Sequence, residues 1–149
     1  MLYIASDHGG FRLKENLKKF LKKEGVKFSD LGAKKLQPKD DYVDYAAAVA
    51  KKVSAKPTAD LGILICRSGQ GVCIVANKFK NVRAALVWNT AEAKISRNDD
   101  MSNIVCLPAD YISPRTAEHI VDTWLETPYS KEERHLRRVK KISVLEKGR

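Results

Sequence analysis

The sequence predicts an α/β fold, a mainly parallel five-stranded sheet covered by helices on both faces. Two observations carry this expectation. Short apolar runs recur along the chain at "LYIAS", "VKFSDLG", "KPTADLGILIC", "VRAALVW" and "NIVCLP". Segments whose apolar residues repeat at helical spacing lie between them, and strands alternating with helices of this length pair in parallel through crossovers.

Taken in order, "LYIAS" leads into "RLKENLKKFLKKEG", where Leu13, Leu17, Phe20 and Leu21 mark one face of a helix and lysines cover the rest. Gly25 stops that helix before the second strand. "GAKKLQPKDDY" reads as an exposed loop and "DYAAAVAKKV" as the next helix. "GQGVCIVANKF" follows the third strand, "TAEAKISRN" the fourth and "RTAEHIVDTWLE" the fifth, and "SKEERHLRRVKKISVLE" closes the chain. No repeat or linker divides the sequence, so residues 1–149 are expected to form one domain, long enough to bury roughly two thirds of the unfolded surface.

Composition narrows the functional classes. With 44% hydrophobic and 31% charged residues the chain reads as an ordinary folded protein rather than a disordered one. No apolar stretch approaches the roughly 18 residues that span a bilayer, and the run in "MLYIASDHGG" is too short for a signal-peptide core. Cys66, Cys73 and Cys106 form an odd set without CxxC spacing, which suggests neither disulfides nor a zinc site. The expectation is a cytoplasmic protein with no membrane partner, no metal and no cofactor. A net charge of +10 attracts phosphates. The lysine-rich helix has no interleaved aromatic residues for base stacking, so it reads as a solvated face and no nucleic-acid partner is expected. The second basic cluster, "KEERHLRRVKK", is dominated by arginine, whose planar fork suits a phosphate.

Ligands of open α/β sheets bind beyond the carboxyl ends of the strands where strand order reverses, which in a 2-1-3-4-5 sheet lies between strands one and three. The first strand ends at "SDHGG" and the third at "CRSGQG", so Asp7, His8, Cys66 and Ser68 should converge on one crevice. Cys66 would also face the amino end of a helix beginning near Gly69, where unpaired N–H groups favour an anion such as a thiolate. Each residue also has a plainer reading: a small hydrophobe closing a strand for Cys66, a loop pair for Asp7 and His8, and turn residues for Gly69 and Gly71. Cys73 and Cys106 read as packing residues, and His119 as surface or helix packing. "SGQG" matches neither the Walker loop nor the dinucleotide fingerprint.

Five blocks, "ASDHGGFRLKENL", "DDYVDYA", "LGILICRSGQGVCIVANKFKNVRAAL", "SRNDDMSNIVCLPA" and "ERHLRRVKKI", resemble in order and spacing the type B ribose-5-phosphate isomerases, the family shared with galactose-6-phosphate isomerase subunits. The resemblance covers essentially the whole chain. It implies a doubly wound, Rossmann-like subunit whose C-terminal helix extends to a partner. The assembly would be a homodimer or dimer of dimers, with a metal-free site shared between subunits and a phosphorylated sugar as ligand. The implied reaction is an aldose to ketose conversion through a cis-enediolate, most simply of ribose 5-phosphate.

In that reading Cys66 is the base, because Val72 fills the position where another branch carries a glutamate. Ser68 assists proton transfer between oxygens, and N–H groups around Gly69 and Gly71 hold the enediolate. Asp7, His8 and Tyr42 contact the sugar, and Arg134 and Arg138 bind phosphate from one helical face. The chain departs from the family at four places. Asp99 and Asp100 replace the usual His-Asn pair, at the ring-opening and sugar-binding positions respectively. Asp110 stands where a phosphate-binding arginine is usual, Arg67 follows the cysteine in place of glycine, and Val43 replaces a proline. The family arrangement implies that Asp99 and Asp110 reach the pocket holding Arg67 from the neighbouring subunit, with Arg67 offsetting their charge and contacting phosphate. Two other readings stay open at this point: the same chemistry on another sugar, and a non-catalytic relative that binds a phosphorylated ligand or a partner subunit.

Overall fold

A computed structural model describes residues 1–146. Its elements alternate as β1 (Leu2–Ser6), α1 (Phe11–Lys23), β2 (Phe28–Asp30), α2 (Tyr42–Ala55), β3 (Leu61–Cys66), α3 (Gln70–Ala76), β4 (Ala84–Leu86), α4 (Thr90–Asn98), β5 (Ile104–Pro108), α5 (Pro114–Glu126) and α6 (Glu133–Leu145). All strand pairings are parallel. The strand order is β2-β1-β3-β5-β4, which corrects the expected 2-1-3-4-5: the last two strands exchange places. The β1/β3 junction is untouched by the exchange, so the reversal point stays where the sequence put it.

Burial explains the exchange. All five residues of β5 are buried, as a central strand requires, whereas the three residues of β4 are only half-buried and sit at the edge. Strand side chains alternate between two apolar layers. Leu2, Ile4, Ile63, Ile65, Val105 and Leu107 meet α1, α4 and α5 on one face. On the other, Ala5, Leu64, Cys66, Ile104 and Cys106 meet α2 and α3.

The helix ends follow local chemistry. Gly25, at φ 70°, closes α1 as the sequence suggested, with the Gly25 and Val26 N–H groups bonding the Lys22 and Leu21 carbonyls. Asp41, Asn89 and Ser113 cap α2, α4 and α5 through their side-chain oxygens. Lys14 is fully buried, where it donates to both oxygens of Asp30 and to the Ala33 carbonyl, tying α1 to the end of β2. Helix α6 differs from the rest. Its one buried residue is His135, and Leu136, Ile142, Val144 and Leu145 are exposed.

Candidate active site

At the carboxyl end of the sheet, β1 and β3 run side by side in the register Ser6 to Ile65, so the turns that follow them must touch. In the first turn, one Asp7 oxygen accepts the Gly10 N–H at 3.0 Å and fixes the bend into α1. In the second, Cys66 is 6% exposed and its Sγ accepts the Gly69 N–H at 3.1 Å. Gly69 has φ 70°, and a Cβ there would lie 2.5 Å from Leu86 Cδ1, so both backbone hand and space demand glycine. That conformation is what turns the N–H back toward the sulfur. A thiolate at Cys66 would receive a charge-assisted hydrogen bond from it.

The same contact refines one expectation. The Gly69 N–H faces Cys66 rather than open space, and the Gln70 N–H lies 3.4 Å from Ser68 Oγ. The Gly71 and Val72 N–H groups, in the first turn of α3, have no intrahelical acceptor, and Gly71 is the one of the two without a side chain to screen it. A Cβ on Gly71 would meet the Tyr42 ring at 2.7 Å, so that ring lies directly over the loop from the start of α2. Val72 is buried in the core, leaving no carboxylate at the alternative base position.

Two clefts flank the 66–71 loop. One, of about 300 Å³, is lined by His8, Gly9, Arg12, Leu36, Pro38 and Arg67. The other, of about 420 Å³, takes in Ser68, Gln70, Trp88 and Tyr111. Arg67 crosses Gly9 and its Nη1 stands 3.3 Å from Asp110 Oδ2, with both side chains about half exposed or more. Asp110 follows β5, and its N–H bonds the Arg67 carbonyl at 3.0 Å. Asp110 therefore belongs to the same subunit as Arg67, which corrects the expectation that a neighbour delivers it. The charge compensation itself is present as an ion pair.

Sequence reasoning missed two residues here. Asp40 lies in the stretch read as an exposed loop, and residues 34–39 are indeed exposed, but its side chain is 4% exposed and points inward. Its Oδ1 accepts the His8 backbone N–H at 3.0 Å and lies 2.7 Å from His8 Nδ1. Burial and then the Asp40 charge raise the Tyr45 phenol above its ordinary pKa. The signal available was the doublet "DD" before α2. Only one aspartate can cap a helix, and Asp41 does so by accepting the Val43 N–H at 2.9 Å. Arg12 is the second omission: it reads as a surface charge on α1 yet lines the His8 cleft.

The remaining candidates assemble at the opposite end of the sheet. Asp99 closes α4 and Asp100 follows it, before β5 begins. Five residues of β5, roughly 16 Å at about 3.3 Å each, separate this turn from the Cys66 level. Arg97 anchors it. Its guanidinium packs between the rings of Trp124 and Tyr129, at 4.9 and 4.3 Å, and donates to the Ser102 carbonyl and Tyr129 Oη at 2.6 Å. Arg83 bonds the Asp100 carbonyl at 3.1 Å. Helix α6 brings Arg134, Arg138 and the buried His135 beside this turn. Arg134 is engaged by Glu132 at 2.7 Å, and His135 Nδ1 stands 3.9 Å from Asp99 Oδ1. One chain thus holds its candidate residues in two separate groups, the thiol group above β1 and β3 and the Asp99–arginine group below β4 and β5.

Of the other cysteines, Cys106 is wholly buried, and burial pushes its thiol well above the ordinary value. Cys73 donates to the Ala84 carbonyl at 3.3 Å. His119 is exposed. Among the described residues no cluster of three or more His, Cys, Asp or Glu side chains is placed to hold a metal ion, and no helix is long and apolar enough to cross a membrane.

Comparison with known proteins identifies the family and the fold. The family model described as Ribose/Galactose Isomerase matches residues 2–142. The probable ribose-5-phosphate isomerase B of Mycoplasma pneumoniae is 42% identical over 146 residues, covering 98% of this chain and 95% of the relative. Ribose-5-phosphate isomerase B of Mycobacterium tuberculosis is 33% identical over 98% of this chain and 90% of its own length. Among solved structures, ribose-5-phosphate isomerase B from Mycoplasma genitalium with bound ribulose-5-phosphate superposes with a TM-score of 0.94 at 41% identity, covering 98% and 95% of the two chains. With the thiol at the β1/β3 reversal point, its glycine turn and a full-length match, the chain belongs to the ribose/galactose isomerase family.

Proposed function

We propose that this protein, acting as one domain per subunit, interconverts ribose 5-phosphate and ribulose 5-phosphate in the cytoplasm, with each active site built from two copies of the chain. The observation that carries the reading is Cys66, held by the Gly69 N–H at the start of a loop that Tyr42 overlies at Gly71 and whose next residue, Arg67, lines the His8 cleft. A solved relative with 41% identity binds ribulose-5-phosphate, which supports the choice of sugar.

The chemistry follows from the groups present. Cys66 as thiolate takes the C2 proton of the open-chain aldose, and the C2–H electron pair forms the C1–C2 double bond while the carbonyl electrons move to O1. The Gly71 N–H faces the resulting enediolate. Ser68 passes a proton from O2 to O1, and the Cys66 thiol returns its proton to C1 as the C2 carbonyl forms. Asp7, His8 and Tyr42 position the sugar, and Arg67 contacts the phosphate while neutralising Asp110. The second copy supplies Asp99 for ring opening, Asp100 for the sugar, and Arg134 and Arg138 for the phosphate. The separation of the two half-sites within one chain supports the need for that copy, and the exposed apolar residues of α6 supply a surface for it.

Purified protein assayed on five- and six-carbon aldoses and ketoses, with and without phosphate, tests the reading. It predicts fastest turnover on the ribose and ribulose 5-phosphates. Faster turnover of another sugar would reassign the substrate, and binding without any interconversion would make the protein a non-catalytic relative.

A further inference from the structure

We infer that His135 is a positioning residue for Asp99, and that the two form a carboxylate–imidazole pair which opens the sugar ring. The inference rests on the isomerase reading above and adds a residue to it. Two observations meet at Asp99, the residue to which that reading gives ring opening. It closes α4, where the Asp99 N–H to Ile95 carbonyl bond at 2.8 Å fixes its backbone, and its side chain is 38% exposed, so one edge is open to a ligand. Behind it lies His135, the single buried residue of α6, with a side chain 5% exposed. Its Nδ1 is buried, has no hydrogen-bond partner among the described residues, and faces Asp99 Oδ1 across 3.9 Å.

A buried ring nitrogen without a partner is costly, because the nitrogen has lost water and gained nothing in exchange. A shift of about 1 Å would bring the pair to hydrogen-bond distance, the kind of tightening that accompanies ligand binding at catalytic groups. The other imidazole nitrogen, Nε2, stands 3.8 Å from Glu132 Oε2. That oxygen also accepts from Arg134 at 2.7 Å, and it is Nδ1, facing Asp99, rather than Nε2 that is buried without a partner among the described residues. With Nδ1–H donating to Oδ1, the carboxylate plane is fixed and Oδ2 is left for the sugar.

The chemistry balances on that oxygen alone. Oδ2 accepts the proton of the O1 hydroxyl of the cyclic aldose, and the O–H pair becomes the second bond of the C1 carbonyl. The C1–O4 bond breaks with its pair going to O4, and the same carboxyl returns the proton there. No other reagent is consumed. His135 touches no sugar atom in this scheme; it acts through the orientation of Asp99.

The test uses the full-length protein with ribose 5-phosphate and raises the enzyme concentration until conversion is fast. An enzyme that opens the ring converts the whole aldose pool at a rate proportional to its own concentration. One that cannot must wait for spontaneous opening, and its rate levels off however much enzyme is added. Asp99→Asn and His135→Leu should both level off, with kcat/KM lowered about 10- to 100-fold. His135→Asn, whose amide N–H takes the place of Nδ1–H, should restore proportionality. A His135→Leu protein that is slower but stays proportional to enzyme overturns the assignment and makes His135 structural, as does equal loss in His135→Asn and His135→Leu. An acyclic four-carbon aldose phosphate gives the second readout: if His135→Leu loses as much on it as on ribose 5-phosphate, ring opening is not the step affected. Those outcomes leave the isomerase reading standing. Wild-type protein inactive on every sugar phosphate overturns both.

Discussion

Replacing Arg67 by glycine, the residue usual in the family, removes a cation that faces two ways. Toward the protein it pairs with Asp110 at 3.3 Å, and since the two side chains are 65% and 47% exposed, this pair adds at most about 1 kcal/mol to folding. The melting temperature should therefore barely move. Toward the ligand the loss is larger. A charge-assisted hydrogen bond to phosphate is worth about 1.5–3 kcal/mol. Asp110, no longer neutralised, repels a phosphate at 4 Å by about 1 kcal/mol in water and several-fold more near a protein surface. The lower values together give about 2.5 kcal/mol, or roughly a seventyfold rise in KM for ribose 5-phosphate. Adding Asp110→Asn to Arg67→Gly should recover about fivefold by removing the repulsion, and Arg67→Gly with Asp110→Arg should recover more by restoring a cation. Steady-state kinetics of the three variants, with thermal melts as a control on folding, measure this. Unchanged KM in Arg67→Gly, or no recovery in either double variant, would refute the compensation.

Three further outcomes are expected. Cys66→Ala and Arg138→Ala should each be nearly inactive alone, but refolding them together at equal amounts should restore about a quarter of wild-type activity, because half the dimers then hold one intact site; no recovery in mixed dimers would mean that the half-sites do not meet between subunits. Asp40→Ala should free the His8 ring and raise KM about tenfold or more, the worth of a charge-assisted hydrogen bond; an unchanged KM would reduce Asp40 to a loop residue. Burial alone would raise Asp30, but hydrogen bonds from Lys18, Lys14 and the Gly32 N–H, with the Lys14 charge, outweigh it and hold the carboxyl below its ordinary 3.8. Its ionised form thus stabilises the fold above the unfolded value, and that contribution is lost as pH falls through the folded one. Asp30→Asn should lower the melting temperature at neutral pH and flatten its decline below about pH 4, and parallel wild-type and variant curves would contradict this.

The parts of the fold legible in the sequence were those governed by local rules. Gly25 ends α1 because its backbone hand is local, and the turns after β1 and β3 meet because strands one and three flank the reversal point. The order of the last strands departs from the expected one because sequential strands are only the default neighbours. A signal was nonetheless available: "IVCLP" is an unbroken apolar run suited to the sheet interior, while "VRAALVW" carries Arg83 and yields a half-buried edge strand. The strand-end rule puts Cys66, Ser68 and His8 at the correct end of the sheet, but His8 and Ser68 line separate clefts on either side of the loop rather than one crevice. It could not place Asp40 and His135, because each owes its role to burial that arises only when distant elements pack. An aspartate in a polar loop and a histidine among arginines both read as solvent-facing until Asp40 turns under His8 and α6 lays His135 against the end of α4.

The proposed isomerisation depends on Cys66 moving the proton between C2 and C1. Turnover of ribose 5-phosphate by Cys66→Ala, with Cys66→Ser as a closer match in shape, tests it most directly when ligand binding is followed in parallel by the thermal shift that ribulose 5-phosphate produces. The expected result is a kcat lowered about 10²- to 10⁴-fold with the ligand-induced shift retained, and Cys73→Ala still active. A Cys66→Ala protein that keeps wild-type kcat would contradict it.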